Sequence, residues 1–236
     1  MTSAPTCAWH PDRETWVSCS RCERPICPSC MNEAPVGFHC PGCIAEGRAT
    51  VRRIKTRSTP ITNLIIGICV AVFAYGELID SQLVLKFGLA PIAITEFGEY
   101  YRMITAMFLH GGIIHLVFNM LILHQLGTQL EYFFGSPKFT AIYLFAGLGG
   151  GLASLMFNAP FVLSVGASGA IFGLMGAYLV VAQQIRMDAR SIYGLLGINL
   201  VIGFIVPGID WHAHLGGLAA GALATAVIHR LFPNWG

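Results

Sequence analysis

Charge is what this 236-residue chain has least of: 11% of its residues are Asp, Glu, Lys or Arg, against 55% hydrophobic. Soluble domains carry charge on roughly a quarter of their residues, so an ordinary soluble fold is excluded and a membrane protein is expected. The 14 Lys and Arg exceed the 12 Asp and Glu by only two, too small an excess to argue for a nucleic-acid partner. Met1 to Ala8 also lack the basic start followed by an apolar run that marks a secretory signal. The expectation is a cytoplasmic N-terminus. Past residue 43 the chain lacks cysteine, apart from Cys69 alone in an apolar stretch, where it reads as a small core residue.

What is present divides unevenly. Residues 1–47 are rich in Cys, Pro, Arg and Glu, and residues 48–60 form a basic linker carrying Arg48, Arg52, Arg53, Lys55 and Arg57. Windows of about 20 residues, the length that crosses a bilayer, pick out apolar spans near 61–79, 113–127, 139–157, 165–183, 191–206 and 211–231. The stretch 80–112 reads as a long loop with interfacial pieces. The expected fold class is therefore an all-α membrane protein: a six-transmembrane-helix bundle over residues 61–231, preceded by a small zinc-binding domain.

Positive charge accumulates on the cytoplasmic side, so the linker puts the N-terminus inside. Lys138, Arg186, Arg190 and Arg230 agree with that orientation, while Lys86 and Arg102 do not. Six crossings return the C-terminus to the cytoplasm and start the second, fourth and sixth spans at the outer face.

Polar groups inside spans are costly and tend to mark function or a buried partner. His115 and Asn119, four apart, share one face at the start of the second span. Gly166-Ala167-Ser168-Gly169 opens the fourth, and Trp211-His212-Ala213-His214-Leu215-Gly216-Gly217 opens the sixth. By parity all three lie at one depth, near the outer surface. Ser168 near a helix N-terminus meets free amides and positive dipole, which suit a developing oxyanion. Gly169/Gly173 and Gly217/Gly221 have small-xxx-small spacing, so the fourth and sixth spans are expected to pack together. His214 shares that face, giving the ingredients of a nucleophile and general base. A serine beside glycines in a membrane helix is usually a packing residue, and a lone histidine is as often a hydrogen-bonder. Their conjunction carries the reading. Asp210 reads as the cap of the sixth helix; with no carboxylate deeper in these spans, the pair is a dyad rather than a triad.

Together, His115-xxx-Asn119, Gly166-x-Ser168-Gly169 and Ala213-His214-x-Gly216-Gly217 in successive even-numbered spans resemble the rhomboid intramembrane serine proteases, over roughly residues 61–231. Tyr101-Arg102 looks like the family's aromatic-arginine motif in the first outer loop, with Tyr where Trp is usual, and Glu131 matches a structural acidic position. The resemblance implies a serine endopeptidase in which Ser168 attacks a peptide carbonyl and His214 takes its proton and delivers it to the leaving amine. His115, Asn119 and the Ser168 amide would form the oxyanion hole. It also implies transmembrane protein substrates held in the lipid bilayer of the cell membrane, and a water-filled cavity at the outer face. Preferred segments would unwind easily and carry a small residue at the cleavage point. His110, His124 and His212 read as structural or interfacial. The rivals are a non-catalytic rhomboid-like helix binder, whose kind usually loses the serine or the histidine, and a transporter, which would need a polar path through the whole membrane.

The first 47 residues present Cys7-x2-His10, Cys19-x2-Cys22, Cys27-x2-Cys30 and Cys40-x2-Cys43. One tight turn presents each pair, and eight ligands divide into two tetrahedral zinc sites. A disulfide framework competes, but a cytoplasmic location argues against it. The spacing resembles B-box-type zinc fingers, which implies one zinc on Cys7, His10, Cys27 and Cys30 and a second on Cys19, Cys22, Cys40 and Cys43. His39 is an alternative to Cys40. So short a domain depends on metal for folding. A protein partner, substrate recruitment and self-association all stay open for it, with nucleic acid the least favoured.

Overall fold

A computed structural model of the chain describes residues 4–34, 36–50, 58–206 and 208–232, with side chains omitted for 47–50. Arg52, Arg53, Lys55 and Arg57 of the basic linker, and the Arg48 side chain, lie outside the described residues. Two compact units are present, Met1–Thr56 and Arg57–Gly236.

The first unit has little regular structure. A 3-10 turn at Pro28–Cys30 precedes a two-stranded antiparallel sheet, β1 (Asn32–Glu33) and β2 (Phe38–His39), followed by α1 (Pro41–Thr50). Among the described residues, those buried in it are six cysteines, Ile26 and Thr15. The helix continues past residue 47, into what composition assigns to the linker, because Ala45, Glu46, Arg48 and Ala49 all favour helix.

The second unit is helical: α2 (Pro60–Leu78), the short α3 (Leu83–Phe87), α4 (Pro91–Thr95) and α5 (Arg102–Thr105), a 3-10 turn at Ala106–Phe108, then α6 (Ile113–Phe134), α7 (Ser136–Phe157), α8 (Ser168–Gln184), α9 (Arg190–Ile205) and α10 (Trp211–Leu231). Of the six long helices, α2, α6, α7 and α10 are long and apolar enough to cross a membrane on those criteria alone. α8 has 17 residues and α9 has 16. α8 is the most enclosed: Gly169 through Ala177 are all buried.

Helix α6 extends well beyond the apolar span that hydropathy marks at 113–127. Gln125, Gln129 and Glu131 lower hydropathy there, yet Glu131 is buried and fully used. Its carboxylate accepts from the backbone amides of Ile61 (3.0 Å) and Thr62 (2.8 Å), from the Thr62 hydroxyl (2.8 Å) and from the Ser136 hydroxyl (2.7 Å). The far end of α6 thus caps the start of α2, satisfying amides that a helix leaves orphaned. Gly135, at φ +78, then turns the chain into α7.

Glycine sets the spacing of α7, α8 and α10. A Cβ at Gly217 would overlap the Gly169 carbonyl, and one at Gly221 the Gly173 backbone. The two pairs ascend together, so α8 and α10 run parallel. Gly149 and Gly150 of α7 are equally confined against Gly216, Ala220 and Ala213 of α10. Close backbone approach replaces side-chain interdigitation, as lipid-embedded helices require when neither partner gains by leaving lipid.

Candidate functional site

Parallel α8 and α10, offset by this register, bring their first turns side by side. Ser168 is the first residue of α8 and His214 lies one turn into α10. The His214 Nε2 and the Ser168 Oγ are 3.0 Å apart. That is hydrogen-bond distance, the separation a hydroxyl and an imidazole need before a proton can pass between them. Ser168 also sits where the helix offers unpaired amides.

The imidazole is held by shape. Phe172, one turn along α8 from Ser168, stacks on it with centroids 4.1 Å apart and planes at 9°. The opposite nitrogen, Nδ1, is buried with no hydrogen-bond partner among the described residues, and Gly203 of α9 packs beside it. Asp210 instead accepts from the Ala213 amide at 3.1 Å and caps α10.

His115 reaches the same place from α6. A Cβ at Gly166 would lie 2.8 Å from His115 Nε2 and 3.6 Å from Ser168 Oγ, so only glycine fits there, at φ +126. The Asn119 amide donates back to the His115 carbonyl at 2.9 Å, which leaves its second N–H for another acceptor. His110, 3% exposed, packs edge-on against His115 with centroids 5.1 Å apart.

Arg102 works at a distance. Its guanidinium pairs with Glu99 at 2.5 Å and donates to the carbonyls of Leu85 (2.8 Å) and Gly88 (2.7 Å). It knits the 80–112 loop, whose Leu89 forms an antiparallel bridge with Ser164 in the segment leading to Ser168. His212 meets Asn158 at 2.7 Å, and the exposed His124 accepts at its carbonyl from the Thr128 hydroxyl. Sequence reasoning missed Phe172 and Ser164. Their signal was faint: each is four residues from Ser168.

In the first unit, Cys7, His10, Cys27 and Cys30 form one cluster, and Cys19, Cys22, Cys40 and Cys43 another, with ligand atoms of each within 4.8 Å of one another. His10 Nδ1 lies 3.9, 3.4 and 3.3 Å from the sulfurs of Cys7, Cys27 and Cys30, and the Cys22 and Cys40 sulfurs are 3.7 Å apart. Tetrahedral bonds of about 2.3 Å to sulfur give edges of about 3.7 Å, so both donor sets fit such an ion. Cys40, not His39, completes the second set. Burial pushes the Cys30 thiol up to about 11 and Cys43 up to about 12. Burial also works upward on Cys7 and Cys19. There it is outweighed by backbone hydrogen bonds, from Cys27 and Trp9 to one and from Cys40 and Arg21 to the other, bringing both down to about 6. The lowering at Cys7 and Cys19 is toward the thiolate, the form that binds metal.

A serine-histidine pair among glycine-packed membrane helices defines a class, and comparison identifies it. The Rhomboid domain matches residues 97–231, more than half the chain, which belongs to the rhomboid family. The chain is 37% identical over 193 residues to Rhomboid protease GluP of Bacillus subtilis (strain 168), covering 78% of this chain and 38% of that protein. It is 36% identical over 159 residues to RHOMBOID-like protein 5 of Arabidopsis thaliana, with 64% and 51% covered. To RHOMBOID-like protein 6, mitochondrial, of Arabidopsis thaliana it is 42% identical over 135 residues, with 54% and 43% covered. The chain therefore spans about half or less of the length of these relatives.

Proposed function

We propose that this multi-pass membrane protein is an intramembrane serine endopeptidase that hydrolyses peptide bonds in or near transmembrane segments of other membrane proteins. The observation that carries the reading is the 3.0 Å contact between Ser168 Oγ and His214 Nε2, at the start of a helix whose amides are free to meet an oxyanion. Ser168 attacks the scissile carbonyl as His214 Nε2 takes the hydroxyl proton; the base then returns that proton to the leaving amine. Negative charge on the tetrahedral oxygen is met by the Ser168 amide, the His115 ring and the spare N–H of Asn119. Water must then reach the acyl-enzyme, so the pair works near one membrane surface. The basic linker and loops favour the outer one, with both termini cytoplasmic.

The two clusters of the first unit each take one structural zinc. The unit serves to recruit a protein, with a substrate's cytoplasmic tail as the simplest candidate.

Cleavage of a single-span substrate in liposomes tests the enzyme reading. Ser168→Ala and His214→Ala are each expected to lower kcat by about 10⁴-fold or more. Cutting by either variant at the wild-type rate sinks the dyad.

A further inference from the structure

We propose that Ser164 and Asp210 are positioning residues for the Ser168–His214 pair, joined by a chain of hydrogen bonds that locks the nucleophile's segment against the helix carrying the base. The inference rests on the dyad reading and adds the device that holds it.

The bonds run in one direction. His212 Nδ1 faces Asn158 Oδ1 at 2.7 Å; Asn158 Nδ2 donates to Ser154 Oγ at 2.9 Å; Ser154 donates to Ser164 Oγ at 3.1 Å. Ser164 Oγ then donates to Asp210 Oδ2, and Asp210 Oδ1 accepts from the Ala213 amide. Each hydroxyl spends its one proton toward the carboxylate, an arrangement in which successive bonds strengthen one another. Because Asp210 and His212 both belong to the start of α10, the chain closes into a ring through the end of α7 and the segment before α8. Ser154 and Ser164 are buried, at 1% and 9% exposure.

Its two ends sit one short arm from each reacting atom. Ser164 is four residues before Ser168, and its backbone exchanges both hydrogen bonds with Leu89, at 3.0 and 2.8 Å. Asp210 is four residues before His214, whose amide donates to the Asp210 carbonyl at 3.3 Å. In a triad a carboxylate orients the base by bonding its second nitrogen. Here that nitrogen has no partner among the described residues. The imidazole's place is therefore set by Phe172 and by where α10 begins. Asp210 fixes that beginning, and Ser164 ties it to the serine's own segment.

The test uses the full chain in detergent, with three readouts: the rate at which a fluorophosphonate labels Ser168, kcat and KM on a single-span substrate, and the melting midpoint. Ser164→Ala removes the bridge and leaves the cap; Asp210→Asn keeps an oxygen for Ala213 and removes the charge. Each is expected to slow labelling and kcat together by about 10- to 100-fold, the cost of a small misplacement, with KM and melting little changed. Their combination is expected to be no worse than the worse single change, since they act as a unit. Ser164→Thr keeps the donor and restores most of the rate. Wild-type labelling and kcat in Ser164→Ala, or a Thr variant as slow as the Ala one, or a loss that tracks the melting midpoint, overturns the role. If Ser164→Ala does not fold, Asp210→Asn carries the same readouts. A wild-type chain labelled no faster than Ser168→Ala overturns the dyad reading itself.

Discussion

The two units of this chain solve the problem of an interior in opposite ways. In the first, the buried side chains are mainly cysteines gathered in two quartets, with Ile26 nearly alone among hydrocarbons. In the second, the interior is filled by large apolar groups such as Phe139, Tyr143, Leu123 and Leu174, and its helices meet glycine against backbone. A fold whose core is a donor set depends on the ion that set binds. A fold whose core is shape depends on volume at each contact. Perturbing ligands and perturbing volume should therefore separate the units cleanly.

The largest effect is expected from metal removal. Structural zinc supplies roughly 10–16 kcal/mol of apparent folding free energy, more than so small a unit has to spare. A strong chelator should abolish hydrogen-exchange protection across residues 4–46 and leave the protection of α7, α8 and α10 in place. Protection that survives in the first unit, at a zinc content below one ion per chain, would show that sulfur packing alone sustains it.

Next in size comes volume at the glycine seam. Gly217→Leu forces a side chain into the Gly169 carbonyl and should cost about 3 kcal/mol, the upper end for overpacking. Gly194 and Gly197 of α9 have no atom within 4 Å of an added Cβ. Replacing either with Ala should hold or raise stability, by up to about 1 kcal/mol, because Ala favours helix. Equal stabilisation by Gly217→Ala and Gly194→Ala in a detergent melt would mean that helix propensity, and not the seam, governs these positions.

Smaller again is the cap that α6 lends to α2. Glu131→Gln swaps an accepting oxygen for a donor facing the amides of Ile61 and Thr62. It should cost about 2 kcal/mol, the price of buried donors left unmet. The same residue explains a limit of sequence reading. Six helices were legible as apolar runs, but hydropathy reports what tolerates lipid and not where a helix ends. α6 therefore reads as stopping near residue 127, before its polar last turns, although those turns are stabilised by partners 70 residues away. That Ser168, His214 and His115 gather was legible too, because six crossings would start α6, α8 and α10 on one side. The groups that hold the site were less so. Phe172 on the imidazole, and Ser154 with Ser164 and Asp210, are ordinary packing or turn residues until tertiary contact brings them together. In the first unit, spacing marked the four local pairs, and the B-box resemblance, not spacing, implied which pairs gather into each cluster.

The smallest effect should come from the surface. Lys86 and Asp80 are 2.8 Å apart in the loop between α2 and α5, and the ammonium holds the Asp80 carboxyl below its ordinary value. A carboxylate with a depressed folded value contributes stability above the unfolded value near 4, and that contribution is lost as pH falls through the lower folded one. At neutral pH it is therefore fully present, yet solvent screens an exposed pair of this kind. Lys86→Met should bring the Asp80 titration back toward an ordinary aspartate and leave the melting midpoint at pH 7 unmoved. A clear drop in that midpoint would assign the loop a structural weight that its exposed ion pair does not have, and would move the boundary between what packing holds and what charge holds in this bundle.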